Sequence, residues 1–167
     1  QVEPGTFTAA VAIPAVEEIL FSKGKLYIDN VKAFPATTQV SNQLLGMSLS
    51  INTGWLPVYT ADGNLYFSFV KGTAPEVTLE LTFEHDTTAI AEKAAWRAGT
   101  ARIITLQFDG TTGKTLKLHL AGKWESFDVL GEQDGNDIVS GTFRARYNAT
   151  VGQMFQAVIE NSLAALP

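Results

Sequence analysis

His85 and His119 are the only histidines in the chain, and there is no cysteine, so nitrogen and sulfur ligands of the kind transition metals favour are nearly absent. His85 stands between Glu84 and Asp86, the one cluster with metal-ligand character. Side chains alternate across a strand, so Glu84 and His85 point to opposite faces, and the cluster reads as a strand-end turn. His119 lies between Lys117 and Lys123 and reads as a surface residue. Glu132, Asp134 and Asp137 offer carboxylates for acid–base work, but Asp134-Gly135-Asn136-Asp137 is ordinary turn vocabulary, and a calcium loop would need a closing glutamate at an offset where none stands. Without cysteine there is no thiolate nucleophile, and no nucleophile elbow, Walker loop, dinucleotide fingerprint or zincin helix occurs. No catalytic, cofactor-binding or metal residue is assigned, and the chain is read as non-enzymatic.

Two other constellations carry physical content. Thr53–Asn64 contains Gly54, Pro57, Asp62 and Gly63, which read as a long loop, yet it carries Trp55, Leu56, Val58 and Tyr59. Apolar side chains at a loop tip need a surface to cover them. In Glu76–Glu84, Val77, Leu79, Leu81 and Phe83 alternate with Glu76, Thr78, Glu80, Thr82 and Glu84, the clearest strand period in the chain. The Glu76, Glu80 and Glu84 ladder has two readings: a solvated strand face, or carboxylates lining a concavity or channel that repels polyanions. The strand Ile138–Tyr147, with Ser140, Thr142, Arg144 and Arg146 outward, is the rival for that exposed position.

The elements that position these residues are mostly strands. Gln1 to about Phe21, interrupted by Pro4 and Pro14, reads as an extended arm with a short strand near Phe7–Ile13. Strands are expected at Lys25–Asn30, at one or two places in Thr38–Asn52 with a bulge at Gly46, and at Thr100–Phe108 and Lys114–Leu120 as a hairpin. Further strands are expected at Lys123–Leu130, with Trp124 in the core, and at Ile138–Ala149, with Val139, Phe143 and Tyr147 in the core. Gly131–Asp137 reads as a loop between these two, and Gln153–Ile159 as an edge strand before an apolar tail, Leu163–Leu166. One helix is expected at about 88–98, capped by the His85–Thr88 turn and stopped by Gly99, with Ile90, Ala94 and the Arg97 stem on one stripe, widened by Ala91, Ala95 and Trp96. One helix among many strands implies a mainly β domain of sandwich or barrel type.

Composition bounds the rest. At 167 residues the chain is long enough for one domain with an ordinary core. With 46% hydrophobic and only 17% charged residues it is too apolar for disorder, and the low charge points to surface meant for burial in an assembly. No apolar run approaches the ~18 residues of a membrane helix, and a net charge of −5 with four scattered arginines excludes a protein that coats nucleic acid. Because the chain opens on Gln1 rather than Met, a preceding segment is expected to have been lost.

The order of these features resembles the major tail protein, or tail tube protein, of long-tailed bacteriophages. The residues that carry the resemblance are Gly24-Lys25-Leu26-Tyr27-Ile28-Asp29, Val40-Ser41-Asn42-Gln43-Leu44, the long loop, the alternating strand and the Ala-rich helix. They continue through Gly122-Lys123-Trp124-Glu125-Ser126-Phe127, Asp134–Val139, Phe143–Tyr147 and Val158–Asn161, the region of closest match. The resemblance spans roughly Leu20 to Leu163 and rests on structural, not catalytic, motifs. It implies a tail-tube-type β-sandwich with one flanking helix, shared with the tube protein of type VI secretion systems. It further implies hexameric rings whose sheets join into an inner barrel and stack into a tube that conducts DNA from the capsid. Trimers are implied instead if the chain is half of a two-domain protein. Trp55, Leu56, Val58 and Tyr59 are then inter-ring loop residues, and Glu76, Glu80 and Glu84 a lumen face. The chain would be made in the host cytoplasm and built into the virion tail, with other tail proteins and transiting DNA as partners and no membrane or cofactor. The competing class is a secreted or surface carbohydrate-binding β-sandwich that presents Trp55, Tyr59 or Trp124 as a stacking platform.

Overall fold

The Glu76–Glu84 alternation fixes one strand, and the main sheet grows on both sides of it. The computed structural model describes residues 19–110 and 113–161. Residues 1–18 of the expected arm, including the strand expected at Phe7–Ile13, lie outside the described residues, as does the Leu163–Leu166 tail. Ile19 and Leu20 lead into a single 3-10 turn, Phe21–Lys23.

Eleven strands and one helix follow: β1 (Gly24–Asn30), β2 (Gln39–Val40), β3 (Leu44–Asn52), β4 (Trp55–Val58), β5 (Phe69–Gly72), β6 (Glu76–Glu84), α1 (Thr87–Arg97), β7 (Arg102–Asp109), β8 (Thr115–Phe127), β9 (Gly131–Gln133), β10 (Asn136–Ala145) and β11 (Phe155–Glu160). The main sheet is antiparallel in the order β2-β1-β7-β8-β10-β6-β3, with β11 beside the first half of β8 and β9 beside the start of β10. The chain is thus mainly β with one helix, the architecture its periodicities predict. The bulge expected at Gly46 is present, as a register shift between Leu44 and Gly46 against β6.

The expected break between Leu120 and Lys123 does not occur. β8 runs unbroken for 13 residues. Its first part pairs with β7 as far as Gly122, which lies opposite Arg102, and from Gly122 onward it pairs with β10. At Gly122 the neighbouring strand comes so close that a Cβ would overlap the Arg144 carbonyl. This glycine is a close-approach position inside a strand.

Because β8 belongs to both halves of the sheet, it brings their apolar faces together. Leu26, Ile28, Ile104, Leu106, Phe108 and Leu120 from one half join Val77, Leu79, Leu81, Phe83, Val139 and Phe143 from the other in a single core. Trp124 is buried there as expected, with its ring 4.8 Å from Phe127, 5.4 Å from Phe143 and 6.0 Å from Phe83. Each such side chain contributes roughly 1.5–3 kcal/mol by burial.

Asp86 caps α1, accepting hydrogen bonds from the amides of Thr88 (3.0 Å) and Ala89 (3.1 Å). The buried stripe differs from the expected one: Ile90 is half exposed, and Ala89, Glu92 and Ala95 face inward. Hydropathy favours Ile90, but Glu92 can be buried because it accepts hydrogen bonds from Trp124 Nε1 (2.8 Å) and Arg102 Nε (3.1 Å). Trp96 packs its ring on Phe127 and donates its indole N–H to the Glu125 carbonyl at 3.0 Å.

Three further expectations are corrected. Gly131–Asp137 is a tight hairpin: β9 pairs with β10, and Asp134 and Gly135 both adopt positive φ (52° and 82°), as a two-residue turn of that hand requires. Tyr147 is exposed because β10 ends at Ala145 and the chain then turns on Asn148, whose Oδ1 accepts from the Thr150 amide at 2.9 Å. His119 is buried, with its ring stacked at 5.3 Å on Phe34 in the β1–β2 connection. The Ala36 amide donates to Thr105 Oγ1 at 2.9 Å, and that hydroxyl lies 2.9 Å from His119 Nδ1. Burial, aided by Lys117, pushes the imidazole below its ordinary value.

Two outcomes follow. Glu92→Ala leaves the Trp124 and Arg102 donors unpaired in the interior and should cost about 3 kcal/mol in urea unfolding. Since His119 is held neutral in the fold, the unfolded chain takes up its proton first. Its contribution is therefore complete above about pH 6.5 and is lost as pH falls from there toward the depressed folded value. His119→Gln should flatten that part of the stability-against-pH curve, read by urea melts at half-unit steps, and an unchanged slope would show that another group titrates.

Candidate functional site

Two surfaces stand out on the described residues: an apolar hairpin and a polar sheet face. The stretch expected as a loop over 53–64 is in part a strand. Trp55 pairs with Gly72, Leu56 with Lys71, Pro57 with Val70 and Val58 with Phe69, forming a two-stranded ribbon separate from the main sheet. Its base is closed by the Thr73 amide donating to the Gly54 carbonyl at 2.7 Å and by the Gly54 amide donating to Asn52 Oδ1 at 3.0 Å. Its tip is held by Asp62, which accepts from the Asn64 amide (3.1 Å) and the Ser68 hydroxyl (2.8 Å). Those bonds lower the Asp62 carboxyl to about 2. Asp62 therefore serves the loop itself.

The ribbon's apolar side chains are left uncovered. Trp55 and Tyr59 are each 67% exposed and Leu65 99%, with Leu56, Tyr66, Phe67, Phe69 and Val70 also open and Val58 half-buried. Of these, sequence reasoning found Trp55, Leu56, Val58 and Tyr59. It missed Leu65, Tyr66, Phe67, Phe69 and Val70, although the apolar run Leu65–Val70 carried the signal of a return strand.

The polar face lies on the side of β3, β6 and β10 turned away from the core. Glu80 sits opposite Ser48 on β3 and Thr142 on β10, Thr78 opposite Ser50 and Arg144, and Glu76 opposite Asn52. The Glu76/Glu80/Glu84 ladder and its rival strand are therefore one surface. Arg146 lies beyond the end of β10. Arg144 bridges Glu76 Oε1 (2.9 Å) and Glu125 Oε1 (3.3 Å), and the Thr82 and Ser140 hydroxyls meet at 2.9 Å. The outer edge of β3, nine residues without a charge or a proline, pairs with no strand among the described residues. Such an edge is a template for another strand.

Elsewhere, Asp86 is engaged as the α1 cap and by Gln43, and Asp134 forms the β9–β10 turn. No group of three or more metal-ligating side chains occurs among the described residues. No described helix is long and apolar enough to cross a membrane.

No family model matches the chain, and no curated protein matches it. Among solved structures, the SPP1 tail tube, determined by solid-state NMR and cryo-EM, aligns with a TM-score of 0.60 at 11% identity. The alignment covers 85% of this chain and 81% of that one. The chain has the fold of a phage tail tube protein. Within that tail-tube fold, both surfaces lie outside the core, so substitutions there should spare the subunit itself. Trp55→Ala combined with Tyr59→Ala is expected to shift monomer stability by no more than about 0.5 kcal/mol in a urea melt; a larger loss would make the ribbon part of the folding core.

Proposed function

We propose that residues 1–167 form a single tail-tube domain, a non-enzymatic structural subunit of a phage tail tube that self-assembles into rings stacked into a conduit for DNA. The observation that carries this reading is the tail-tube fold shared with the SPP1 tail tube over most of both chains. A subunit of this kind resides in the virion tail and meets other tail proteins there. Hexameric rings follow if each chain supplies one domain, and trimers if it is half of a two-domain protein.

Physical features of the chain support each part. The uncharged open edge of β3 offers backbone donors and acceptors to a neighbour, as continuous inter-subunit sheet requires. The ribbon bearing Trp55, Leu56, Val58 and Tyr59 gains burial when rings stack. Glu76, Glu80 and Glu84 face the lumen in this reading. Arg144 is held by Glu76 and Glu125, so this guanidinium is already committed to carboxylates, and the hydroxyl and carboxylate rows lower adhesion to a passing polyanion.

Purified protein should form tubes of uniform diameter in negative-stain images, and Trp55→Ala with Tyr59→Ala should cut tube yield without unfolding the subunit. Monomers alone across a wide concentration range would overturn the tube reading. Loss of binding to a glycan array in the same double variant, with no assembly in either protein, would favour the carbohydrate-binding class.

A further inference from the structure

Alternate residues of β7 serve two separate cores. Ile104, Leu106 and Phe108 belong to the large one, while Ile103 joins Ala36 and Ala121 in a small one on the other face, with Tyr27, Val31, Phe34 and Val151 packed against it. The β1–β2 connection, residues 31–38, roofs this small core and is fastened at two points of different chemistry. At one, Asp29 Oδ2 accepts from the amides of Thr37 (2.6 Å) and Thr38 (3.3 Å), with Lys32 Nζ 2.7 Å away. At the other, the Ala36 amide donates to Thr105 Oγ1, which lies 2.9 Å from His119 Nδ1, and Phe34 stacks on the imidazole.

The second fastening depends on the protonation state of His119. Thr105 Oγ1 accepts from Ala36, so its own proton needs an acceptor, and Nδ1 is one only in the neutral ring. A proton on Nδ1 sets two donors against each other and places a charge in a buried site. The strand register shows which charged and titratable groups share that side of the sheet. Lys117 precedes His119 on β8, Lys25, Tyr27 and Asp29 come from β1, Asp109 from β7 and Glu160 from β11. The connection adds Lys32, and the segment after β10 adds exposed Arg146. The carboxylates are engaged by other partners: Asp109 by Lys25 and Gln107, Asp29 as above, and Glu160 by the Thr115 hydroxyl. Lys117 contributes only repulsion toward an imidazolium.

We propose that residues 34–36 are a flap latched by neutral His119, which lifts in mild acid while the Asp29 anchor and the sheet beneath stay in place. Under the closed flap, burial and Lys117 keep the ring below its ordinary value, whereas a lifted flap returns it to water and to about 6.5. Lifting therefore takes up a proton and becomes easier as pH falls through about 6.5. Asp29 is held well below the usual carboxylate range, so its bonds to Thr37 and Thr38 survive the same acid. The lifted flap frees Phe34 and bares Ile103 and Ala121.

Hydrogen exchange resolved to single amides tests this on the unmodified protein. Between pH 7.5 and 5.5, after correction for the intrinsic rate, the Ala36 amide should lose protection by at least about twofold and at most about tenfold. The amides of Thr37, Thr38 and β7 should keep theirs. Level protection at Ala36 would overturn the proposal, as would a rise, the outcome expected if a cation settles on the Phe34 ring. An equal loss in β7 would also overturn it, because the whole sheet would then be opening. His119→Asn offers a neutral oxygen in place of Nδ1 and should abolish the pH dependence at Ala36. Persistence of that dependence in the folded variant would assign it to another group and overturn the latch. The measurement needs no assembly, so its outcome is independent of the tube reading.

Discussion

The close approach of β8 and β10 at Gly122 is the constraint on which the rest of the structure depends. A side chain at that position would collide with the Arg144 carbonyl. Without the approach, β8 could not leave β7 on one edge and take up β10 on the other. That exchange lets one strand serve two half-sheets. Leu120, before the glycine, and Trp124 and Phe127, after it, then enter the same core. The helix is fastened by the same strand: Trp124 Nε1 and Arg102 Nε converge on Glu92, so a carboxylate in the interior fixes α1 over the sheet. Packing supplies most of the energy, while the directional bonds to Glu92 select where the helix sits.

Polarity is divided by strand parity. In β6 and β10 alternate residues go to the core, and the remainder form a face of hydroxyls and carboxylates braced by Arg144 between Glu76 and Glu125. Exposed ion pairs of this kind add little stability, with a typical value below about 1 kcal/mol. Their effect lies in the character of the face, which presents acceptors and a guanidinium already engaged. The opposite half of the sheet is covered differently: Phe34 and Ala36, on the β1–β2 connection, close over Thr105 and His119. Asp29 anchors that connection. Burial alone would push its carboxyl up, but Lys32, the amides of Thr37 and Thr38 and the Thr38 hydroxyl hold it well below the usual range.

What was legible in the sequence was local. Glu76–Glu84 repeats with period two, so its bounds and its two faces could be read directly, and Asp86 and Gly99 marked the ends of the helix. The features that were misread depend on distant partners. His119 looked exposed between two lysines because Phe34 and Ala36, which cover it, come from another part of the chain. Ile90 looked buried because nothing beside Glu92 in sequence announces Arg102 and Trp124 as its partners. Leu120 and Lys123 looked like the ends of two separate strands because the closeness of Gly122 to Arg144 is a property of the folded sheet. The candidate assembly surfaces were half legible. Trp55 and Tyr59 drew attention as aromatics in a stretch of turn residues, whereas the return strand was not recognised and its exposed Phe69 and Val70 went uncounted.

The low charge content acquires a structural cause once these surfaces are placed. With only 17% charged residues, the chain cannot surround every apolar side chain with charge. Most of the uncovered ones are gathered in a few places, the β4–β5 ribbon, Val129 and Leu130, and the strip around Ile19 and Ile159, while Leu45, Ile51, Ile90 and Tyr147 stand apart from these. An open uncharged edge beside an apolar ribbon would ordinarily lead to irregular aggregation. In the tube proposed above, the distribution of these features over different parts of the subunit changes that outcome. There the β3 edge pairs with a neighbour in the same ring, while the ribbon, which leaves the sheet at the Glu76 end of β6, meets the next ring. Sideways contacts that turn by a fixed angle close into a ring and then stop, and lengthwise heterologous contacts continue. Closed growth in one direction and open growth in the other produce a tube, so the features that make the isolated subunit prone to association also limit the form association takes.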